Sequence, residues 1–173
     1  MNDAPHAVRM QRVGDAWISA HAVVCGDVTL GTDVSVWPHV AIRGDVAPVS
    51  IGDRTNIQDG AIVHCRTGVP LQIGRDVVIG HLAVVHCKRV GDGCLIGIRS
   101  VVLDNAEIGD GAIVAAGSVV TSGTIIPPDM LAMGTPAKPV RPVSETEREY
   151  HQMALSNYLR LAKEHFDGRW PPC

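Results

Sequence analysis

Three of the eight histidines in this chain stand where they could bind one metal ion. His64 and His86 each directly follow a valine, and His81 stands two residues after an isoleucine. Three neutral imidazole nitrogens leave one position of a divalent ion open, and an ion held in this way lowers the pKa of a bound water to about 7. The histidines therefore point to metal-activated water, provided that the fold brings them together.

A six-residue period positions these histidines. Ile, Leu or Val recurs at nearly every sixth position from Ile18 to Ile126, giving eighteen such aliphatic markers. A repeat of this kind predicts a parallel β-helix, in which each unit is one short strand and a corner. Because aromatic residues make up only 3% of the chain, the core must consist of aliphatic side chains. We therefore predict an all-β fold, a parallel β-helix of about six coils over residues 18–132.

The six-residue period is interrupted by extra residues between Ile42 and Ile51 and again between Val63 and Ile73. We expect each interruption to be a short loop that leaves a corner, since functional sites are often built on loops of a rigid scaffold.

The chain outside the repeat divides into four parts. We predict a lead-in over residues 1–17, a proline-rich chain reversal or linker over 133–143, a helix over 144–167 and a tail over 168–173. Ser144 followed by Glu147 reads as a capping box at the start of that helix. The helix carries apolar residues at helical spacing and is expected to pack on the β-helix.

Stacking of the coils determines which histidines can meet. Residues three repeats apart lie above one another at roughly 4.8 Å, so Arg43, His64 and His86 should form one column on an outer face. His81 belongs to a corner on a different edge, and it cannot easily meet the other two within one chain. A three-fold oligomer solves this if the corner of one subunit presses against the face of the next. Alternatively, the two stacked histidines are ordinary surface residues.

Composition excludes some classes of function. A net charge of −3 gives no basic surface for nucleic acid. No apolar run approaches the ~20 residues that span a bilayer, and the first residues lack the pattern of a signal peptide. The five cysteines are an odd number without the spacing of a disulfide framework, which favours a reducing cytoplasm.

Several motifs together resemble the γ-class carbonic anhydrases and their close homologues. They are Arg43-Gly44-Asp45, Asn56-Ile57-Gln58-Asp59-Gly60, Val63-His64, Gly80-His81, Val85-His86 and Gly134-Thr135-Pro136-Ala137-Lys138. The likeness extends from about Asp15 to the region of Tyr158.

The resemblance implies a left-handed β-helix assembled as a homotrimer. His64 and His86 would come from one subunit and His81 from its neighbour, holding one Zn²⁺, Fe²⁺ or Co²⁺ per subunit. The implied reaction is the reversible hydration of carbon dioxide to bicarbonate by a metal-bound hydroxide.

The resemblance also implies roles for other residues. Gln58 matches the residue that hydrogen-bonds the hydroxide or the substrate, because a neutral amide can donate without quenching the nucleophile. Arg43 matches an arginine that pairs with carboxylates at the subunit interface, and Asp45 and Asp59 are its candidate partners. These three can also be purely structural. Two further residues match positions that line the pocket, Asn56 and Tyr158. Tyr158 fits the apolar stripe of the helix equally well.

This chain departs from the prototype of the family in two places. Val46 stands where the prototype has a glutamate, and the short segment 65–72 contains no carboxylate to act as a proton shuttle. Two of the cysteines, Cys65 and Cys87, directly follow histidines and are expected to be packing residues.

Two rival functions stay open. One is a non-enzymatic trimeric metal-binding or assembly protein, and the other is an acyl-coenzyme A acyltransferase, which would need a catalytic histidine on a long protruding loop.

Overall fold

The computed structural model describes residues 9–170. These residues form a parallel β-helix of about six coils with one C-terminal helix, as predicted. The elements in chain order are β1 (Met10–Val13), β2 (Ala16–Ser19), β3 (Val23–Leu30), β4 (Ser35–Val36), β5 (Ala41–Ile51), β6 (Asn56–Ile57), β7 (Ile62–Val63), β8 (Leu71–Ile73), β9 (Val78–Ile79), β10 (Val84–Val85), β11 (Arg89–Val90), β12 (Leu95–Ile96), β13 (Val101–Val102), β14 (Glu107–Ile108), β15 (Ile113–Val114), β16 (Val119–Val120), β17 (Ile125–Ile126), β18 (Met130–Gly134), β19 (Ala137–Pro142) and α1 (Glu145–Phe166).

The aliphatic markers stack in three inward columns, one for each face of the β-helix. Face 1 carries Ile18, Val36, Ile57, Ile79, Ile96 and Val114. Face 2 carries Val24, Ile42, Val63, Val85, Val102 and Val120. Face 3 carries Leu30, Ile51, Ile73, Val90, Ile108 and Ile126. From the second coil onward these side chains are at most 3% exposed, so the predicted register forms the core.

The two interruptions of the period behave differently. The expected loop around Pro48 is wrong, because β5 continues as one strand past this residue and pairs with β3 through a register irregularity. The extra residues are absorbed as a bulge, which lengthens one strand without ending its pairing. The second interruption is a short turn at Gly68, and the amide of Gly68 donates to the carbonyl of Val46 in the bulge.

Antiparallel hairpins close both ends of the coil. At the start β1 pairs with β2, so residues 10–13 of the expected lead-in form a strand, and residues 1–8 lie outside the described part. At the other end β18 pairs with β19. Of the two readings for residues 133–143, the chain reversal is the one observed, because most of this segment lies in the hairpin. These pairings satisfy backbone groups that would otherwise lie free at a sheet edge.

The C-terminal helix packs along face 1. It begins with the predicted capping box, in which Ser144 and Glu147 bond each other's backbone amides. Trp37 on the coil meets Tyr158 of the helix, with ring centroids 5.2 Å apart. The indole of Trp170, expected in the tail, donates to Glu164 over 3.2 Å, and the tail residues 171–173 lie outside the described part. Among the described residues, no helix is long and apolar enough to cross a membrane.

Candidate metal centre

Two histidine rings face each other on face 2. The pairing of β7 with β10 aligns Val63 with Val85, so His64 and His86 project outward from neighbouring coils. Their ring centroids are 5.2 Å apart, and Nδ1 of His64 lies 3.2 Å from Nε2 of His86. Arg43 follows in the coil below, since Ile42 aligns with Val63.

The other nitrogen of each ring lies within hydrogen-bond distance of an aspartate. His64 Nε2 lies 2.9 Å from Asp45 Oδ1, and His86 Nδ1 lies 2.5 Å from Asp104 Oδ1. The hydrogen bond from His64 holds the pKa of Asp45 below its ordinary value, so that this group is a carboxylate at neutral pH. A carboxylate only accepts hydrogen bonds, so a neutral ring that bonds its aspartate carries its proton on Nε2 in His64 and on Nδ1 in His86.

In these neutral tautomers the two nitrogens that face each other both present lone pairs. Two lone pairs 3.2 Å apart repel each other unless a cation, either a metal ion or a proton, lies between them. Nitrogens bound to a tetrahedral ion at about 2.0–2.1 Å are separated by about 3.3 Å. The observed separation of His64 Nδ1 and His86 Nε2 thus fits two neighbouring ligands of one divalent ion.

His81 lies on the corner that follows β9. Its Nδ1 is 3.1 Å from Asp59 Oδ2, and its Nε2 is 3.1 Å from the hydroxyl of Tyr158. Burial raises the pKa of Tyr158, so the phenol keeps its proton and donates it to Nε2. His81 therefore resembles the other two histidines in having one nitrogen beside an aspartate, but its other nitrogen accepts the Tyr158 hydroxyl.

Gln58 and Asn56 lie beside His81. Gln58 Oε1 accepts the backbone amide of His81, and its Nε2 donates to Asn56 Oδ1, both over 3.2 Å. The two amides are only 6% and 2% exposed. Within residues 9–170 the buried Nδ2 of Asn56 has no hydrogen-bond partner. A cavity of about 130 Å³ between α1 and the coil is lined by Gln58, His81 and Tyr158 among others.

The residues selected from the sequence thus form two separate groups in one chain. We call the first the face half-site and the second the corner half-site. The face half-site contains Arg43, Asp45, His64, His86 and Asp104. The corner half-site contains Asn56, Gln58, Asp59, His81 and Tyr158. In the described part of a single chain no three His, Cys, Asp or Glu side chains converge on a metal position.

Within one chain Arg43 pairs with Asp45, and Asp59 lies against His81 at the corner. Pairing of Arg43 with Asp59 across a subunit interface stays a prediction. Sequence reasoning missed Asp104. This residue stands two positions after Val102, the marker stacked on the one that precedes His86, and an acid at that place in the next coil was the available signal.

The neighbouring cysteines are packing residues, as expected. Cys65 and Cys87 are 1% and 2% exposed, and burial raises the pKa of the Cys87 thiol to about 12. A thiol in this state is neutral at pH 7 and is a poor metal ligand.

Comparison with known proteins identifies relatives of this chain. The family model described as "Bacterial transferase hexapeptide (six repeats)" matches residues 88–122. The chain is 46% identical over 137 residues to a carbonic anhydrase of Geobacillus kaustophilus, covering 79% of this chain and 75% of the relative. It is 38% identical over 157 residues to gamma carbonic anhydrase 2, mitochondrial, of Arabidopsis thaliana, covering 87% of this chain and 56% of the relative. A crystal structure described as a putative acetyltransferase of Bacillus cereus superposes with a TM-score of 0.86 at 38% identity, covering 90% of each chain. The chain therefore belongs to the γ-class carbonic anhydrase family.

Proposed function

We propose that this protein is a metal-dependent carbonic anhydrase that interconverts carbon dioxide and bicarbonate as a homotrimer. The face half-site of one subunit and the corner half-site of the next would together supply three imidazole ligands. The observation that carries the proposal is that His64 Nδ1 and His86 Nε2 face each other 3.2 Å apart while the other nitrogen of each ring contacts an aspartate. A bound zinc, iron or cobalt ion would supply a Lewis acid and lower the pKa of a water molecule to near neutrality.

The donor atoms of the chain suit such an ion. Imidazole nitrogens accept all three metals, so the ligand set does not choose among them. Asp45, Asp104 and Asp59 each lie against the ring nitrogen that would not bind the ion, as outer-shell partners of metal-binding histidines usually do.

Gln58 is the residue best placed to orient the substrate. Its carbonyl is occupied by the amide of His81 and one of its amide protons by Asn56, which fixes the orientation of the side chain. The remaining amide proton can donate to a substrate oxygen beside His81. The hydroxyl of Tyr158 is a second donor in the same place.

Exposed apolar side chains support the trimer. Val23 and Ile62 on face 2 are 55% and 46% exposed, and Leu82 and Ile98 at the corner are 50% and 48% exposed. Ile62 and Val23 share face 2 with the face half-site, with Val23 two coils below Ile62. Leu82 directly follows His81, and Ile98 lies at the same corner in the next coil. A face-to-corner contact between subunits would cover both patches, and such patches on an isolated chain mark an interaction surface.

One observation favours a second candidate function. Residues 65–72 contain no carboxylate that could carry protons away from the site. A protein that binds the metal but turns over too slowly would serve as a trimeric scaffold. An acyltransferase has less support, because between residues 9 and 170 no long loop bearing a histidine leaves the coil.

Metal analysis followed by stopped-flow hydration of carbon dioxide tests the proposal. The purified protein should bind about one divalent ion per chain, and His81→Ala should abolish this binding. His21→Ala changes an exposed histidine of the first coil and serves as the matched control. Protein loaded with zinc, iron or cobalt should hydrate carbon dioxide. Bound metal without any hydration would favour the scaffold, and metal retained by His81→Ala would contradict the shared site.

A further inference from the structure

We propose that Asp104 is a positioning residue of the metal centre, which keeps the proton of His86 on Nδ1 so that Nε2 stays open for the ion. The proposal rests on the function proposed above. Asp104 follows β13, one coil beyond His86, and its carboxylate lies 2.5 Å from His86 Nδ1. The backbone around it is fixed, since the carbonyl of Asp104 accepts the amide of Gly123 in the next coil over 2.8 Å.

The effect of Asp104 depends on which nitrogen of the neutral His86 imidazole carries the proton. The ring of His86 carries one proton, on Nδ1 or on Nε2. With the proton on Nδ1, Nε2 presents a lone pair to the lone pair of His64, and the space between them attracts a cation. With the proton on Nε2, this nitrogen would donate to His64 Nδ1 across the observed 3.2 Å, and the two rings would bond to each other.

Asp104 therefore decides between an open and a closed pair of histidines. An ion that binds to the closed pair must first break the hydrogen bond between the rings and move the proton. Asp45 contacts Nε2 of His64 in the same way, but it also pairs with Arg43, so its removal would disturb two contacts at once. Asp104 offers the cleaner test.

The experiment compares Asp104→Ala and Asp104→Asn with the wild-type full-length protein. The amide oxygen of the asparagine can still accept the Nδ1 proton of His86, whereas the alanine cannot. The control is Asp110→Ala, one corner further along the same coil, where the carboxylate pairs with Arg89 over 2.7 Å and contacts no histidine. Affinity for Zn²⁺ and Co²⁺ is measured by competition with a chromophoric chelator.

Loss of an outer-shell partner of this kind typically lowers metal affinity about 10- to 100-fold. We expect a loss of this size in Asp104→Ala, a smaller loss in Asp104→Asn and no change in Asp110→Ala. The visible spectrum of the Co²⁺-loaded protein should change only in the Asp104 variants, which a purely structural role would not produce. Affinity in Asp104→Ala equal to that of the wild type would overturn the proposal.

A measurement without metal keeps the inference separate from the proposed function. Nitrogen chemical shifts of the His86 ring in metal-free protein report which nitrogen carries the proton. We expect protonated Nδ1 in the wild type and in Asp104→Asn, and protonated Nε2 in Asp104→Ala. The same tautomer in all three proteins would overturn the role of Asp104 even if the protein proves to be an active carbonic anhydrase. The expected shift, in a protein without hydration activity, would support Asp104 while the proposed function fails.

Discussion

Complementation between two inactive variants would test the division of the metal centre into half-sites. His81→Ala destroys the corner half-site and leaves the face half-site intact. The double variant His64→Ala/His86→Ala does the reverse. If each centre joins the corner of one subunit to the face of the next, neither variant can build a centre by itself, but a mixed trimer can.

The size of the recovery follows from the geometry of a closed three-fold ring. A centre is intact only where a corner from the double variant meets a face from the His81→Ala variant. A trimer has three junctions, and in every mixed trimer one of the three joins an intact corner to an intact face, whichever variant is in the majority. Random reassembly of equal amounts therefore restores about one quarter of the centres.

The assay is metal content per chain after the two variants are unfolded together and refolded, with hydration of carbon dioxide as a second readout. Each variant refolded by itself should contain no metal, and the mixture should reach about a quarter of the wild-type value. A mixture of His64→Ala with His86→Ala is the control, because both changes damage the same half-site and no ring can recover. No recovery in the first mixture, with mixed trimers demonstrated, would refute the shared centre.

Three further predictions concern the scaffold. Gly97→Ala should lower the free energy of unfolding by about 1–3 kcal/mol, since its Cβ would lie 2.5 Å from the backbone nitrogen of Ala116 in the next coil; chemical denaturation measures this. Ile79→Ala removes a side chain that is 0% exposed and should cost about 2–5 kcal/mol, seen as a melting temperature roughly 10 °C lower. The ion pair with Arg141 lowers the pKa of Glu147 to about 2, so its stabilisation is present above about pH 4.5 and is lost as the pH falls toward 2. Glu147→Gln should flatten the pH dependence of stability in that window, and an unchanged profile would contradict the assignment.

The β-helix could be predicted from the sequence because one simple rule determines it. Each inward marker must lie over the marker three repeats earlier, and this constraint acts on every coil. The same rule placed His64 and His86 in one column, which the alignment of Val63 with Val85 bears out. Periodicity therefore gave both the fold and the facing rings.

The stacking rule could not predict the side-chain partners of the histidines. Asp45 stands three residues after the marker Ile42, in the segment where β5 bulges, and it reaches His64 from that bulge. An interruption in a repeat shows that extra residues are present, but it does not show whether they form a loop or a bulge. The hairpin of β18 and β19 was predicted only as a chain reversal or a linker, since proline-rich sequence gives no sign of antiparallel pairing.

If the proposed shared centre forms, the hydrogen bond between Tyr158 and His81 would link metal binding to assembly. In the single chain His81 Nε2 accepts the phenol over 3.1 Å, and this bond keeps the proton of the ring off Nε2. Binding an ion at Nε2 would require that bond to be exchanged, at a net cost of about 1 kcal/mol. The face half-site of a neighbouring subunit would offset this cost by supplying His64 and His86 as two further ligands. The phenol of Tyr158 lines the same cavity as Gln58, so it would then be free to donate to a substrate there.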